Sequence, residues 1–120
     1  MRVAGQMLDM RQPLGPASEG AGLCPVELLA AALGSCIHLT MAAVAEAKGI
    51  SLGKLEVSLR LEDEDAIEEG RTARAQVEVV FDGGLTERER KILFRSGRLC
   101  PLRKLVGDRI EFADDCRVRP

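Results

Sequence analysis

Aromatic side chains are scarce in this chain of 120 residues, which has three Phe, no Trp and no Tyr. The core must therefore be built from aliphatic residues, and there is almost no material for stacking on nucleic-acid bases. Charge of one sign is lacking too, because 17 basic and 19 acidic residues leave a formal net charge of -2. This balance argues against a nucleic-acid partner and against an anionic membrane surface.

Histidine is also scarce, and the four cysteines never form a CxxC pair. The inventory is Cys24, Cys36, Cys100, Cys116 and the single imidazole of His38. This spacing predicts no metal site, and no nucleotide fingerprint or Ser-His-Asp arrangement indicates a cofactor or a triad. The N-terminus lacks the apolar core of a signal peptide, so we expect a cytoplasmic, reducing location. Scattered cysteines in that compartment are either inert core residues or catalytic thiols.

The length fits a single domain over residues 1–120, with one long apolar helix as its main feature. A strand is predicted at Val3–Met10, followed by a loop rich in proline and glycine over residues 13–24. Pro25 then opens a helix over residues 25–49 that Gly49 ends. The helix has almost no polar face, which leaves three readings: a membrane span, the central rod of the domain, or a dimer interface. Its length and alanine content favour the last two together.

The rest of the chain alternates in ways that predict strands and one further helix. Lys54–Glu62 and Thr72–Phe81 have period two, which predicts half-buried antiparallel strands joined by an acidic turn over residues 63–70. A capping box at Thr86 predicts a second helix through residue 98. A last strand follows at Asp108–Ala113, and residues 114–120 are predicted to be a polar tail. The order indicates an α+β domain with an antiparallel sheet packed on the long helix.

Two of the cysteines precede a proline, at positions where a helix begins. The dipole and the free N–H groups there stabilise a thiolate at Cys100, and Arg98, Arg103 and Lys104 are basic sequence neighbours. The alternative is a small apolar residue that fills a helix junction. Cys24 has the same local pattern without nearby basic residues.

The other two cysteines have plainer surroundings in the sequence. Cys36 lies in the middle of the long helix, where it is either a packed small hydrophobe or, if a cleft or a cation reaches it, a reactive thiol. His38 stands about 200° around the helix from Cys36, so the two cannot pair within one chain. Cys116 is expected to be an exposed bystander in the tail.

Four stretches of the chain resemble the OsmC/Ohr family, the osmotically inducible and organic hydroperoxide resistance proteins. They are Pro25-Val-Glu-Leu-Leu-Ala-Ala-Ala-Leu-Gly-Ser-Cys36, Gly49-Ile-Ser-Leu-Gly-Lys-Leu-Glu-Val, Leu85-Thr-Glu-Arg-Glu-Arg-Lys and Cys100-Pro-Leu-Arg-Lys-Leu. The resemblance spans roughly residues 4–113, and its first motif is more similar to the OsmC-like branch than to the Ohr branch.

The resemblance implies an intertwined homodimer whose long helices are central and whose active sites lie near the dimer interface. It also implies a thiol peroxidase for organic or hydrogen peroxides, with Cys36 as the peroxidatic thiolate and Cys100 as the resolving thiol, restored by a thiol reductant. In the family an N-terminal Arg, held by a Glu early in the helix, activates the first cysteine. Here Val26 follows the proline directly, so Glu27 and Arg11 are the candidates for these roles, and Cys24 is a possible substitute thiol.

Two other functions stay open at the level of sequence. One is a disulfide-exchange or sulfur-relay protein with little peroxidase activity, which the unusual Val26 position favours. The other is a non-enzymatic dimer that binds a hydrophobic small molecule in its interfacial cleft.

Overall fold

The structure, a computed structural model, describes residues 2–7 and 24–120. The loop predicted over residues 13–24 lies outside these ranges except for its last residue, and Arg11 lies outside them as well. All structural statements below concern the described residues.

The N-terminus forms a tight hairpin instead of the single strand predicted from Val3. Strand β1 (Arg2–Val3) pairs antiparallel with β2 (Gln6–Met7). The chain reverses through Ala4 and Gly5, whose φ angles are 49° and 79°. Two successive left-handed residues give a turn that matches the twist of paired strands, and Gly5 adopts this conformation without steric cost. The rest of the predicted strand, residues 8–10, lies outside the described residues.

Helix α1 (Pro25–Lys48) is the long helix that the sequence predicts. It begins with the proline at its first position, and it ends at Gly49, a left-handed cap with a φ of 67°. One stripe with a spacing of four residues is buried on this helix: Leu33, Ile37, Met41 and Ala45. This stripe packs against the sheet and against a second helix, so α1 is covered along one side.

The sheet contains β3 (Glu56–Glu62), β4 (Ala73–Phe81) and β5 (Ile110–Val118), with β4 in the centre. Strands β3 and β4 are antiparallel as predicted, but β5 runs parallel to β4, so the sheet is mixed. The predicted tail over residues 114–120 is wrong, because β5 continues to Val118. The long connection between β4 and β5 contains two helices, and these carry the chain back to the end of the sheet where β4 starts.

Three shorter helices complete the α+β fold. Helix α2 (Glu64–Glu68) replaces the predicted acidic turn, and the Asp63 carboxylate caps it by accepting from the Ala66 N–H at 3.3 Å. Helix α3 (Glu87–Gly97) begins with the predicted capping box: the Glu89 N–H donates to Thr86 Oγ1 at 3.1 Å, and the Thr86 N–H donates to Glu89 Oε1 at 2.9 Å. Helix α4 (Pro101–Val106) leads through one 3-10 turn (Gly107–Arg109) into β5.

A close contact between α3 and α1 sets the position of the chain that follows α3. A Cβ atom at Gly97 would lie 3.1 Å from Met41 Cγ and 3.2 Å from Ile37 Cγ2. Because glycine has no side chain, the end of α3 approaches α1 closely there. Cys100, three residues further on, is thereby brought into the same buried cluster as Ile37 and Met41.

Candidate functional site

Cys100 lies at the junction of α3 and α4, and its side chain is completely buried. It is the N-cap of α4, directly before Pro101, as the sequence predicts. Its carbonyl oxygen accepts from the Lys104 N–H at 3.3 Å, which is the first bond of the helix. The thiol therefore sits at the positive end of a short helix but inside an apolar core.

Cys36 on α1 meets Cys100 across this junction. The side chain of Cys36 is half-buried and packs on the core cluster that contains Cys100. Cys36 is close enough to Cys100 to influence the pKa of that thiol. Both are reduced cysteines in this structure. The two residues that the resemblance pairs, 64 positions apart in the sequence, are thus neighbours in the fold.

Two opposing influences act on the Cys100 thiol. Burial raises its pKa above the ordinary thiol value, and the neighbouring Cys36 side chain also raises it. The backbone N–H and the positive charge of Arg103 act in the other direction and favour the thiolate. Burial is the largest of these influences, so the pKa is raised on balance, and Cys100 stays a neutral thiol until it is activated.

The Arg103 guanidinium is held against β5. Its Nη1 donates to Asp114 Oδ1 at 2.6 Å and its Nη2 donates to Asp114 Oδ2 at 2.9 Å. The guanidinium carbon also lies 4.1 Å from the centre of the Phe112 ring. The sequence indicates Arg103 as a basic neighbour of Cys100 but gives no sign of Asp114 or Phe112, which come from β5 and its unpredicted extension.

An apolar groove of about 690 Å³ opens beside Cys36. Its walls come from one face of α1 and from the chain around Pro101, and include Leu39, Thr40, Val44, Leu99 and Leu102. Leu39 and Leu99 are exposed over 66% and 59% of their surface, which leaves a broad apolar rim. Such a site can take up an apolar molecule next to a sulfur atom.

Cys24 and Glu27 form a separate feature at the start of α1. Cys24 is buried at the N-cap position, and its backbone N–H donates to Glu27 Oε1 at 3.0 Å. Cys24 and Cys36 are separated by the first half of the helix, twelve residues that correspond to about 18 Å of helix rise. Cys24 is therefore too far from Cys36 to replace Cys100 within one chain.

The remaining predicted residues lie away from the pair of thiols. His38 lines a second groove of about 560 Å³ between α1 and β3, which Glu27 also lines. Cys116 is exposed, as expected, although it lies on β5 and not in a tail. Arg11 is outside the described residues.

By length and composition, α1 is the one helix among the described residues that would qualify as a membrane span. Its buried stripe packs on the sheet and on α3, so one side of the helix is part of the domain core.

The comparisons with known proteins agree with this architecture. The crystal structure of the organic hydroperoxide resistance protein OhrB of Bacillus subtilis matches with a TM-score of 0.72 and 19% identity, over 92% of this chain and 82% of that chain. An organic hydroperoxide resistance protein OsmC from Legionella pneumophila, described as a predicted redox protein, matches with a TM-score of 0.69 and 21% identity, over 83% of this chain and 73% of that one. An OsmC-like protein from Mycoplasma pneumoniae has a TM-score of 0.72 at 16% identity, over 88% and 79% of the two chains.

These TM-scores show a shared fold. The family is shown by the sequence. Among proteins with curated functions, none matches the sequence. The family model described as "OsmC-like protein" matches residues 18–113, which is most of the chain and includes both thiols of the pair. The chain therefore belongs to the OsmC-like protein family.

Proposed function

We propose that this protein is a thiol peroxidase that reduces organic hydroperoxides, and hydrogen peroxide less readily, through Cys36 and Cys100. The observation that carries the proposal is that Cys36, at the edge of an apolar groove, packs on the buried cluster that contains Cys100. A half-buried sulfur with a buried second thiol beside it is the arrangement that a two-cysteine peroxidase needs. The apolar walls of the groove favour a substrate with a hydrocarbon substituent.

The chemistry balances with a hydroperoxide as oxidant and an external thiol as reductant. The Cys36 sulfur attacks the distal oxygen of the hydroperoxide, the O–O bond breaks, and an alcohol leaves as Cys36 becomes a sulfenic acid. The Cys100 sulfur then attacks the Cys36 sulfur and forms a disulfide with the loss of water. Two equivalents of a thiol reductant return both cysteines to thiols by disulfide exchange.

Glu27 and Arg11 are the candidate groups for the activation of Cys36. Glu27 Oε1 accepts from the Cys24 N–H, so its carboxylate favours the start of α1 in addition to any role toward a cation. We assign Arg11, the nearest N-terminal arginine in the sequence, as the candidate cation for Cys36.

The same proposal includes a homodimer in the cytoplasm. The face of α1 opposite its buried stripe is apolar and exposed, with Leu29, Ala32, Leu39 and Ala43 along it. A second copy of the chain would cover this face and narrow the groove beside Cys36.

The test is consumption of cumene hydroperoxide by the reduced protein, with dithiothreitol as the reductant. We expect Cys36→Ser to lower the rate about a hundredfold or more, because the nucleophile is lost. Cys116→Ser is the matched control and should keep the full rate, because that thiol is exposed on β5 and distant from the groove. In a single turnover, one peroxide should consume two thiols and leave the Cys36–Cys100 disulfide. Unchanged consumption by Cys36→Ser would refute the proposal.

A disulfide-exchange function is the second candidate, and the pair of adjacent thiols favours it equally. The Legionella pneumophila protein is also described as a "regulator of sulfide bond formation". This candidate predicts fast exchange with oxidised dithiothreitol and slow reaction with cumene hydroperoxide. If all four thiols stay inert while the protein binds an apolar dye, the chain is a binding protein and both redox proposals fail.

A further inference from the structure

The Arg103 side chain is held by contacts with Asp114 and Phe112. Both terminal nitrogens of its guanidinium donate to the two carboxylate oxygens of Asp114, and its plane lies over the Phe112 ring. The side chains of Arg103 and Asp114 are only 11% and 8% exposed. A second cation, Arg98, comes to 3.8 Å from Asp114. A bidentate pair with so little exposure is geometrically specific, unlike the exposed ion pairs of this surface.

This clamp holds the first turn of the helix that Cys100 caps. Arg103 is the third residue of α4, and its backbone N–H faces the Cys100 thiol. Asp114 and Phe112 lie on β5, which pairs with the central strand β4. The clamp therefore ties the start of α4 to the sheet and so defines where the Cys100 sulfur lies relative to Cys36.

We propose that Arg103, held by Asp114, is a positioning residue that keeps the Cys100 sulfur against Cys36 for the resolving step. The inference rests on the proposed function, in which Cys100 resolves the Cys36 sulfenic acid. In that step the Cys100 thiolate attacks the Cys36 sulfur, the S–S bond forms and the S–O bond breaks. Hydroxide leaves and takes up a proton to become water, while the Cys36 sulfur is reduced and the Cys100 sulfur is oxidised.

The direction of the charge effect follows from the groups around Cys100. From α1 it meets the Cys36 thiol, which disfavours the thiolate. From α4 it meets the Arg103 backbone N–H and, as a smaller influence, the Arg103 guanidinium, and both favour the thiolate. The charged group that β5 adds is the Asp114 carboxylate, which is paired with that guanidinium. The buried residues that β4 and α3 add to its cluster, such as Val77 and Leu93, are apolar. Removal of the Arg103 charge should therefore move the titration of Cys100 to higher pH and leave less thiolate at neutral pH.

The experiment uses two forms of the full chain. In the first, Cys24, Cys36 and Cys116 are replaced by Ser, so that ultraviolet absorbance of the thiolate reports Cys100 alone. The test variant is Arg103→Gln with Asp114→Asn, which removes both charges and leaves neither one buried and unpaired. The matched control is Arg117→Gln with Glu78→Gln, an exposed pair between β5 and β4 with a 2.8 Å contact. We expect the titration midpoint to rise in the test variant and to stay unchanged in the control.

The second form keeps all four cysteines and measures a single turnover with cumene hydroperoxide. In the test variant, formation of the sulfenic acid should keep its rate, whereas its conversion to the disulfide at pH 7 should slow roughly three- to tenfold. Arg103→Lys retains the charge but not the bidentate contact. It should keep the titration midpoint near that of the parent while the resolving step slows.

The thiolate titration tests the charge effect, and the single turnover tests the positioning effect. A folded test variant, checked by circular dichroism, with the parent's midpoint overturns the charge effect. If the test variant does not fold, Arg103→Lys with the parent's resolving rate overturns the positioning effect. If the parent does not react with the peroxide, the proposed function fails, but diamide can oxidise the two thiols and the same comparison of rates still decides the inference.

Discussion

At the scale of single residues, the buried Cys100 thiol couples the stability of the fold to pH. Its pKa is raised above the ordinary value of 9.0, chiefly by burial. A raised pKa in the folded state means that the native chain binds this proton more tightly than the unfolded chain does. Its contribution to the free energy of unfolding is therefore complete at neutral pH and is lost as the pH rises above the ordinary thiol value.

We predict that the reduced protein loses stability above about pH 9 more steeply than Cys100→Ala does. The difference in slope approaches about 1.4 kcal/mol per pH unit, the limit for one proton, in the range where only the unfolded thiol is ionised. Guanidinium unfolding of both reduced proteins between pH 7 and pH 10.5 measures it, and Lys and Arg titration cancels in the comparison. Parallel curves for the two proteins would contradict the prediction.

The residues of the site could be predicted to different degrees. Cys100 before Pro101 is a local signal, and the N-cap that it predicts is present. The contact of Cys36 with Cys100 needs the path of the whole chain, and only the resemblance to the family indicated it. The pairing of Arg103 with Asp114 escaped prediction because Asp114 opens the stretch Asp114-Asp-Cys-Arg, which looks like a solvated tail.

At the scale of elements, two glycines in helices should respond oppositely to the same substitution. A Cβ at Gly97 would crowd Met41 and Ile37, both fully buried, whereas a Cβ at Gly34 would lie 3.6 Å from Leu59 Cβ, an ordinary contact. We predict that Gly97→Ala destabilises the protein by about 1 kcal/mol because α3 must move away from α1. Gly34→Ala, the matched control within a helix, should stabilise it by about 0.5–1 kcal/mol.

Thermal or urea unfolding of the two variants measures these effects. Stabilisation by both substitutions would show that Met41 gives way freely at the contact. In that case the close approach of the helices would not depend on Gly97.

Elements with strong local signals were predicted within a few residues, whereas the last strand, predicted over Asp108–Ala113, starts as expected but continues to Val118. Proline and glycine mark the ends of α1, and a capping box marks the start of α3, so short-range chemistry defines both helices. Strand β5 is buried at Ile110 but exposed over its last four residues. The alternation of buried and exposed residues is therefore lost in a segment that still pairs with β4. Its parallel partner β4 lies about thirty-seven residues earlier in the chain, and no local pattern reports such a pairing.

At the scale of the whole molecule, the exposed face of α1 predicts self-association. Only four of the 24 residues of this helix are buried, although the helix is apolar almost throughout. A helix that is apolar on all sides is stable in water only when something covers its second side. Because that face is long and rich in alanine, we expect a second copy of α1 to pack against it.

We predict that the protein is a dimer in solution and that Leu39→Lys converts it to a monomer. Leu39 is the most exposed large apolar residue of α1, at 66%. The substitution forfeits about 1.5–3 kcal/mol of apolar burial at each of two symmetric positions and places two like charges in the interface. The dissociation constant of the dimer should therefore rise at least a hundredfold.

Val118→Lys is the matched control, because Val118 is 42% exposed at the end of β5 and does not lie on α1. Sedimentation velocity at micromolar concentration separates the two species. A parent chain that sediments as a monomer would mean that α1 is covered in another way, and a dimeric Leu39→Lys would place the interface on a different surface.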